Sequence, residues 1–240
     1  MFFRVLMVLA LGTALFSGWQ LYRGLKEYAD ADEAYKELQE QEIMTQPEGT
    51  AEPGIDFAAL AEINPDIRGW LRLADSVIDY PVVQTTDNEY YLTHLFSREV
   101  NRMGCIFIDY RNAPDFSDRN TAMYAHHMRN GSMFADLENY ESQEWYEGHW
   151  QLELETPQGK YVLEPFAGCL MSGTSDFVWL DFTDDQEFLD YAGQMIAHST
   201  FQSDVTLEPD DRIVTMVTCS YDFEDARYAL FARIRPAGAN

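Results

Sequence analysis

The chain has 240 residues, 46% of them hydrophobic and 14% aromatic, enough to bury a sizeable core in one domain with appendages. Acidic residues outnumber basic ones 41 to 16, for a formal net charge of −25. That balance excludes nucleic acid as a partner, because phosphate binding needs clustered cations. It does not favour an anionic membrane surface either, and its plainest consequence is solubility.

The first predicted element is an apolar helix. From Val5 to Tyr22 no charge interrupts "VLMVLALGTALFSGWQLY", and about 18 residues just suffice to span a bilayer. Trp19 and Tyr22 stand where interfacial aromatics lie. Arg4 precedes the run and Arg23 and Lys26 follow it, so flanking charge does not set the orientation. A cleaved signal peptide is the competing reading, but "ALFSG" offers no clean small-x-small site ahead of a polar start. Residues 1–24 are therefore read as a retained signal-anchor. Leu25, Tyr28, Tyr35 and Leu38 follow at helical spacing, as in a stalk. Pro47, Pro53 and Gly54 break it, which sets residues 25–54 as stalk and linker and residues 55–240 as the folded domain.

Within that domain the pattern is mostly β. "FAALAEI" reads as a short helix stopped by Asn64 and Pro65. "GWLRL" and "VIDYPVVQ" read as strands, "DNEYYLTHLF" as a short helix, and "CIFIDY" and "TAMYAHHM" as two more strands. "SMFADLENYESQEWYEGH" reads as one helix with Ser132 at its N-cap. A hairpin turns around Pro157–Gly159, "DDQEFLDYAGQMIAHS" is a helix, and "RIVTMVTC" and "RYALFARIRP" are the closing strands. About eight strands without βαβ regularity predict a mixed or antiparallel sheet closed as a barrel, with peripheral helices.

Three cysteines, Cys105, Cys169 and Cys219, are an odd number. In an exported domain that leaves a free thiol, whether or not Cys105 and Cys169 pair. Cys219 ends a strand whose alternation puts Ile213, Thr215, Val217 and Cys219 on one face. It is either a small buried hydrophobe or a nucleophile reaching a cleft, and the latter needs a base or cation beside it. Of five histidines, His126 and His127 sit together at a strand end. Neighbours on a strand face opposite ways, and no C-x-x-C or H-E-x-x-H pattern occurs, so a catalytic metal is not expected. Arg227 opens the last strand. It either supplies a fixed cation near Cys219 or pairs with Glu224 or Asp225.

Several stretches together resemble the class B sortases. "TMVTC" is similar to that family's T-L-x-T-C motif, and "CSYDFEDAR" to its segment from the nucleophile to an arginine. "YAHHMRNGSMF" is similar to the histidine segment, with "INPDIRGWL", "IDYPVVQTTDNEYYLTHLF" and "GCIFIDYRN" also matching in order, from Ile55 to Pro236. The resemblance implies an eight-stranded sortase barrel with Cys219 as nucleophile, His126 as catalytic histidine and Arg227 as active-site arginine, and leaves His127 facing away. Tyr124, Asn88, Leu92 and Thr218 match positions lining the substrate groove. Met216 replaces the motif leucine, a volume-conserving change. Ala125 replaces the glycine before the histidine, which would displace His126 if that position needs a positive φ.

The implied activity is cysteine transpeptidation: cleavage at a C-terminal sorting signal, a thioacyl intermediate, and transfer to an amine of a peptidoglycan precursor or to a pilin lysine. No cofactor is implied. The implied partners are sorting-signal peptides of surface proteins, the acceptor amine, and the cell membrane through the N-terminal helix, with the catalytic domain outside a Gram-positive cell. A cysteine protease releasing its substrate to water, and a membrane-anchored binding module with a vestigial site, are the alternatives.

Overall fold

The computed structural model describes residues 2–44, 54–222 and 224–238. The expected break at Pro47 and Pro53 lies outside the described residues. Helix α1 runs from Phe2 to Met44 without interruption, so the segments expected as anchor and stalk form one helix. Its first half carries exposed apolar side chains, among them Leu9, Leu15 and Phe16. Its second half docks onto the folded domain. Ala31, Tyr35 and Leu38 are buried, the Tyr35 hydroxyl donates to Gly104 O at 2.6 Å, and its ring meets Tyr80 edge-on at 5.2 Å. The helix is therefore packed against the folded domain from Ala31 to Leu38. Leu25, expected on the same face, is exposed.

Helix α2 (Phe57–Ile63) starts at Asp56, whose carboxylate accepts from Ala58 N and Ala59 N, and stops at Asn64 before Pro65. Eight strands follow: β1 (Ile67–Arg72), β2 (Asp79–Val83), β3 (Ile106–Ile108), β4 (Asn120–Tyr124), β5 (Leu152–Thr156), β6 (Gly159–Ser172), β7 (Arg212–Cys219) and β8 (Ala226–Pro236). They close a barrel in the order β1-β2-β3-β4-β7-β8-β6-β5. Pairs β2/β3 and β4/β7 are parallel and the other six antiparallel. Closure leaves no long unpaired edge.

Alternation divides the side chains of β7 and β8 between two cores. Val214, Met216, Tyr228, Leu230 and Ala232 fill the barrel. Ile213, Val217, Ala229 and Phe231 face outward and are covered by helix α4 (Asp185–Ala197) through Phe188, Tyr191, Ala192 and Met195. Each such fully buried aromatic or aliphatic side chain contributes about 1.5–3 kcal/mol.

The segment from Ser132 to His149 departs from the expected single helix. A 3₁₀ run covers Ala135–Glu141, and helix α3 covers Gln143–Gly148 with Ser142 as its N-cap. Phe134, Leu137 and Tyr140, all 0% exposed, recur every third residue, the 3₁₀ period. Ser132 caps no helix; its hydroxyl donates to Asn130 Oδ1 instead. The short helix expected near Asn88 is one 3₁₀ turn, Tyr90–Leu92, started by Asp87 accepting from Glu89 N and Tyr90 N. The strand expected through His126 ends at Tyr124.

Candidate active site

All three cysteines are free thiols, so the Cys105–Cys169 pairing does not form. Cys105 lies inside the barrel and Cys169 under α4. Burial pushes both thiols up to about 12, which keeps them protonated and unreactive. Cys219 differs: it is partly exposed at the C-terminal end of β7.

Strand register gathers the partners. In the antiparallel β7/β8 pair Cys219 stands directly opposite Arg227, so both project from the same face. In the parallel β4/β7 pair Asn120 matches Ile213 and Tyr124 matches Val217. The pairing outlasts the strand, with Ala125 N donating to Val217 O at 3.3 Å and the Thr218 hydroxyl donating to Ala125 O at 2.9 Å. Continued one residue further, the register sets His126 level with Cys219. Ala125 is absent from the positive-φ residues of the described chain, so replacing glycine there imposes no backbone strain.

His126 Nε2 lies 2.8 Å from Leu92 O. A carbonyl only accepts, so Nε2 carries the hydrogen, and Nδ1 is the nitrogen available for proton exchange. His127, expected to be incidental, has contacts of its own. Its Nδ1 donates to Cys219 O at 3.1 Å, its ring meets Tyr221 edge-on at 5.0 Å, and the Tyr221 hydroxyl donates to His127 O. His127 thus ties the strand carrying Cys219 to the loop carrying His126. The remaining histidines are elsewhere: His94 stacks on Tyr90, His149 stacks on Trp145, and His198 ends α4.

The Arg227 guanidinium is about one-third exposed and pairs with Asp225 at 2.8 Å. Asp225 sits at φ 60 and its carbonyl accepts from Gly173 N at 2.7 Å. A Cβ at Gly173 would come within 2.8 Å of the Asp225 carboxylate, so this approach requires glycine. The ion pair weighed from sequence therefore forms, at the same end of β8 that faces Cys219. The two readings of Arg227 do not exclude each other.

Among the expected groove residues, Asn88 and Tyr124 meet at a buried acid that the sequence reading did not single out. Asp109 has a side chain 0% exposed. It accepts from Asn88 Nδ2 at 3.0 Å, from the Tyr124 hydroxyl at 3.2 Å, and from Arg111 Nε and Nη2 at 2.9 and 2.8 Å. Burial alone would raise its carboxyl, but the Arg111 fork, the Arg111 N–H and the Asn88 amide outweigh it and hold the group below its ordinary value. Burial and the Asp109 charge push the Tyr124 phenol up, so it remains a hydroxyl. The available signal was an acid ending the apolar run "CIFID". A cleft of about 360 Å³ opens beside this network, between Arg111 and Asn112 on one side and Val178, Trp179 and Leu180 on the other.

Leu92 enters through its carbonyl on His126. Thr218 is 2% exposed with its hydroxyl committed to Ala125 O, so it supports the histidine segment from the barrel side. Glu138, Glu141 and Asp222 bring carboxylate oxygens within 4.8 Å of one another beside the loop after Cys219. Such gatherings of exposed acids are common, and no step below uses one.

The sortase-domain profile matches residues 72–235. Sortase B of Listeria monocytogenes is 34% identical, with 95% of each chain covered. Sortase B of Staphylococcus aureus is 31% identical, covering 97% of this chain and 96% of that protein. The solved Staphylococcus aureus sortase B–substrate complex superposes with a TM-score of 0.81 at 32% identity, over 89% of this chain and 100% of that one. A sortase B structure complexed with triglycine gives 0.79 at 33% identity, over 88% and 99%. Barrel and sequence thus agree with these relatives over almost the whole chain, which belongs to the sortase family, class B, and is a cysteine transpeptidase.

Proposed function

We propose that this transpeptidase works through Cys219, His126 and Arg227 on a sorting-signal peptide, in a catalytic domain held at the outer face of the cell membrane by α1. The observation that supports the reading is the β7/β8 register, which pairs Cys219 with Arg227, beside a β4/β7 pairing that runs on toward His126. The Cys219 thiolate attacks the carbonyl carbon of the scissile threonine. The C–N bond breaks, and His126 Nδ1 gives its proton to the leaving amine. An acceptor amine then attacks the thioester, returns a proton to His126 and frees the thiolate. Leu92 O accepts from Nε2 whether the ring is neutral or charged, which suits a group that cycles between both states. Arg227 directs N–H groups at the substrate backbone or the developing oxyanion.

Tyr124 and Asn88 line the groove, and Asp109 acts as a positioning residue by fixing the Asn88 amide and the Tyr124 hydroxyl. Leu92 and Thr218 contribute through the backbone contacts described. Relatives of this chain have been solved as a substrate complex and with triglycine, which supports a peptide donor and a glycine-type amine acceptor on a peptidoglycan precursor. Helix α1 has the length and composition to cross a membrane near the N-terminus, which supports the location.

Product analysis tests the reading. Residues 25–240, which keep the docked half of α1, are incubated with a sorting-peptide library, with and without triglycine, and products are read by mass spectrometry. Cleavage with peptide–glycine adducts supports transfer. Cleavage to the free acid alone would make the protein a hydrolase, and a Cys219→Ala variant that still forms adducts would remove the assigned nucleophile.

A further inference from the structure

Basic residues are scarce, yet three of the 16 line one cavity where α1 meets the catalytic domain. This cavity, about 530 Å³, is formed by the helix from Trp19 to Tyr28 together with Arg102 and Arg129 from the domain. Arg23 lies 4.9 Å over the Trp19 ring, Arg102 lies 5.4 Å over the Tyr28 ring, and Arg129 lies 5.9 Å over the Tyr221 ring. Glu27 neutralises Arg102 with a 2.7 Å ion pair. Among the described residues, Arg23 and Arg129 have no carboxylate partner. In a chain of net charge −25, two exposed guanidinium groups held on aromatic rings without acids are a local reversal of sign.

The height of the cavity names its occupant. Trp19 and Tyr22 end the apolar part of α1, and the nine steps from Trp19 to Tyr28 rise about 14 Å at about 1.5 Å each. That interval begins at the aromatic belt and crosses the headgroup layer, about 5–8 Å per leaflet. We propose that this cavity binds the phosphate headgroup of an anionic membrane lipid between Arg23 and Arg129, with the aromatic rings beside its glycerol and upper acyl carbons. The proposal rests on the reading that α1 crosses the membrane. Arginine suits the task because its planar fork meets two phosphate oxygens at once.

The site also touches the catalytic loop. Arg129 is three residues from His126, and Tyr221, beneath its guanidinium, donates to His127 O two residues beyond Cys219. On the other side, α1 runs past the same loop, with Asp32 beside Asn130. A bound headgroup would therefore steady the loop from 127 to 131 and set the height of the nucleophile above the bilayer.

Full-length protein is reconstituted into vesicles of phosphatidylcholine alone or mixed with phosphatidylglycerol, and amide hydrogen exchange is followed across residues 127–131. Flotation with both vesicle types, and slower exchange in this segment only when phosphatidylglycerol is present, is the expected result. Arg129→Gln should raise the phosphatidylglycerol density needed for half-maximal protection about fivefold, the effect of one juxtamembrane cation, and Arg129→Lys should restore part of it. Equal exchange in both vesicle types would overturn the proposal while leaving the membrane helix intact. Flotation with neither would remove the membrane reading and the proposal together. Equal protection by soluble glycerol phosphate, added to protein in phosphatidylcholine, would replace a lipid site with one for free anions.

Discussion

The two ends of one sheet face each carry an arginine, in different surroundings. At one end of β7 and β8, Ile213 stands opposite Arg233; at the other, Cys219 stands opposite Arg227. Arg233 is 14% exposed and fully engaged, with Glu164 at 2.9 and 2.7 Å and Thr206 O at 2.7 Å. Arg227 is twice as exposed and has a single carboxylate partner, Asp225. Helix α4 covers the middle of the face, over Val217, Ala229 and Phe231, and stops short of the Cys219 end. Chemistry here follows from surroundings: Cys169 under the helix and Arg233 among its hydrogen-bond partners become structure, and where the face stays open Cys219 and Arg227 remain accessible.

The largest expected effect tests the contrast among thiols. Cys219→Ala should lower turnover by about 10⁴-fold or more, since the nucleophile has no substitute, and should leave the thermal midpoint nearly unchanged because the site is partly open. Cys105→Ala and Cys169→Ala should do the opposite, keeping turnover per folded molecule while losing about 1–2 kcal/mol from small core cavities. Rate and melting curve on the same three variants decide it, and an active Cys219→Ala would end the comparison.

Next in size is the histidine pair. His126→Ala should cost about 10²–10⁴-fold in rate, the usual range for an acid–base group. His127→Ala should cost much less in rate and about 1 kcal/mol in stability, because it removes a hydrogen bond to Cys219 O and the ring contact with Tyr221. A larger rate loss at His127 would mean that the β4/β7 register does not continue past Ala125.

The arginines follow. Arg227→Lys keeps the charge but not the fork, so a directed hydrogen-bond role predicts a loss of about 10²–10³-fold in kcat/KM. Arg233→Lys should leave kcat/KM unchanged and lower Tm by a few degrees, equivalent to about 1–2 kcal/mol. Full activity in Arg227→Lys would reduce its role to local potential. A stability loss without a rate loss in Arg227→Ala would leave only the Asp225 pair.

The barrel and its reactive end were legible because they rest on local periodicity and short motifs. Alternation in "RIVTMVTC" placed Cys219 on the face of Ile213 and Val217, and the strand count foretold closure. Features built by distant packing were not legible. The face of α1 that docks reads as an ordinary amphipathic pattern, and contacts far along the chain, such as Tyr35 with Tyr80 and Gly104, reveal a packed element. Asp109 looks like any acid at a strand end until Asn88, Arg111 and Tyr124 converge on it from three segments. The Ser132–His149 stretch has helix-forming composition, but burial of Phe134, Leu137 and Tyr140 tightens its first half to three residues per turn. The concern over Ala125 came from the family's glycine, and the backbone there has an ordinary φ.

The smallest expected effect concerns Thr218, where the comparison of faces is sharpest. The family resemblance puts it in the substrate groove, whereas alternation puts its side chain on the barrel side of β7, one residue from Cys219 but pointing the other way. Its hydroxyl donates to Ala125 O, the carbonyl immediately before His126. Valine has nearly the same shape without the donor, so Thr218→Val isolates that bond. If Thr218 acts from inside, the variant should lose about 1 kcal/mol of stability and show a modest fall in kcat as His126 loosens, with KM unchanged. If the hydroxyl instead serves the substrate, KM should rise while the melting curve stays put. A serine replacement separates the two further: Thr218→Ser keeps the donor and should restore kcat under the first reading, even though the lost methyl leaves a small cavity and part of the stability deficit.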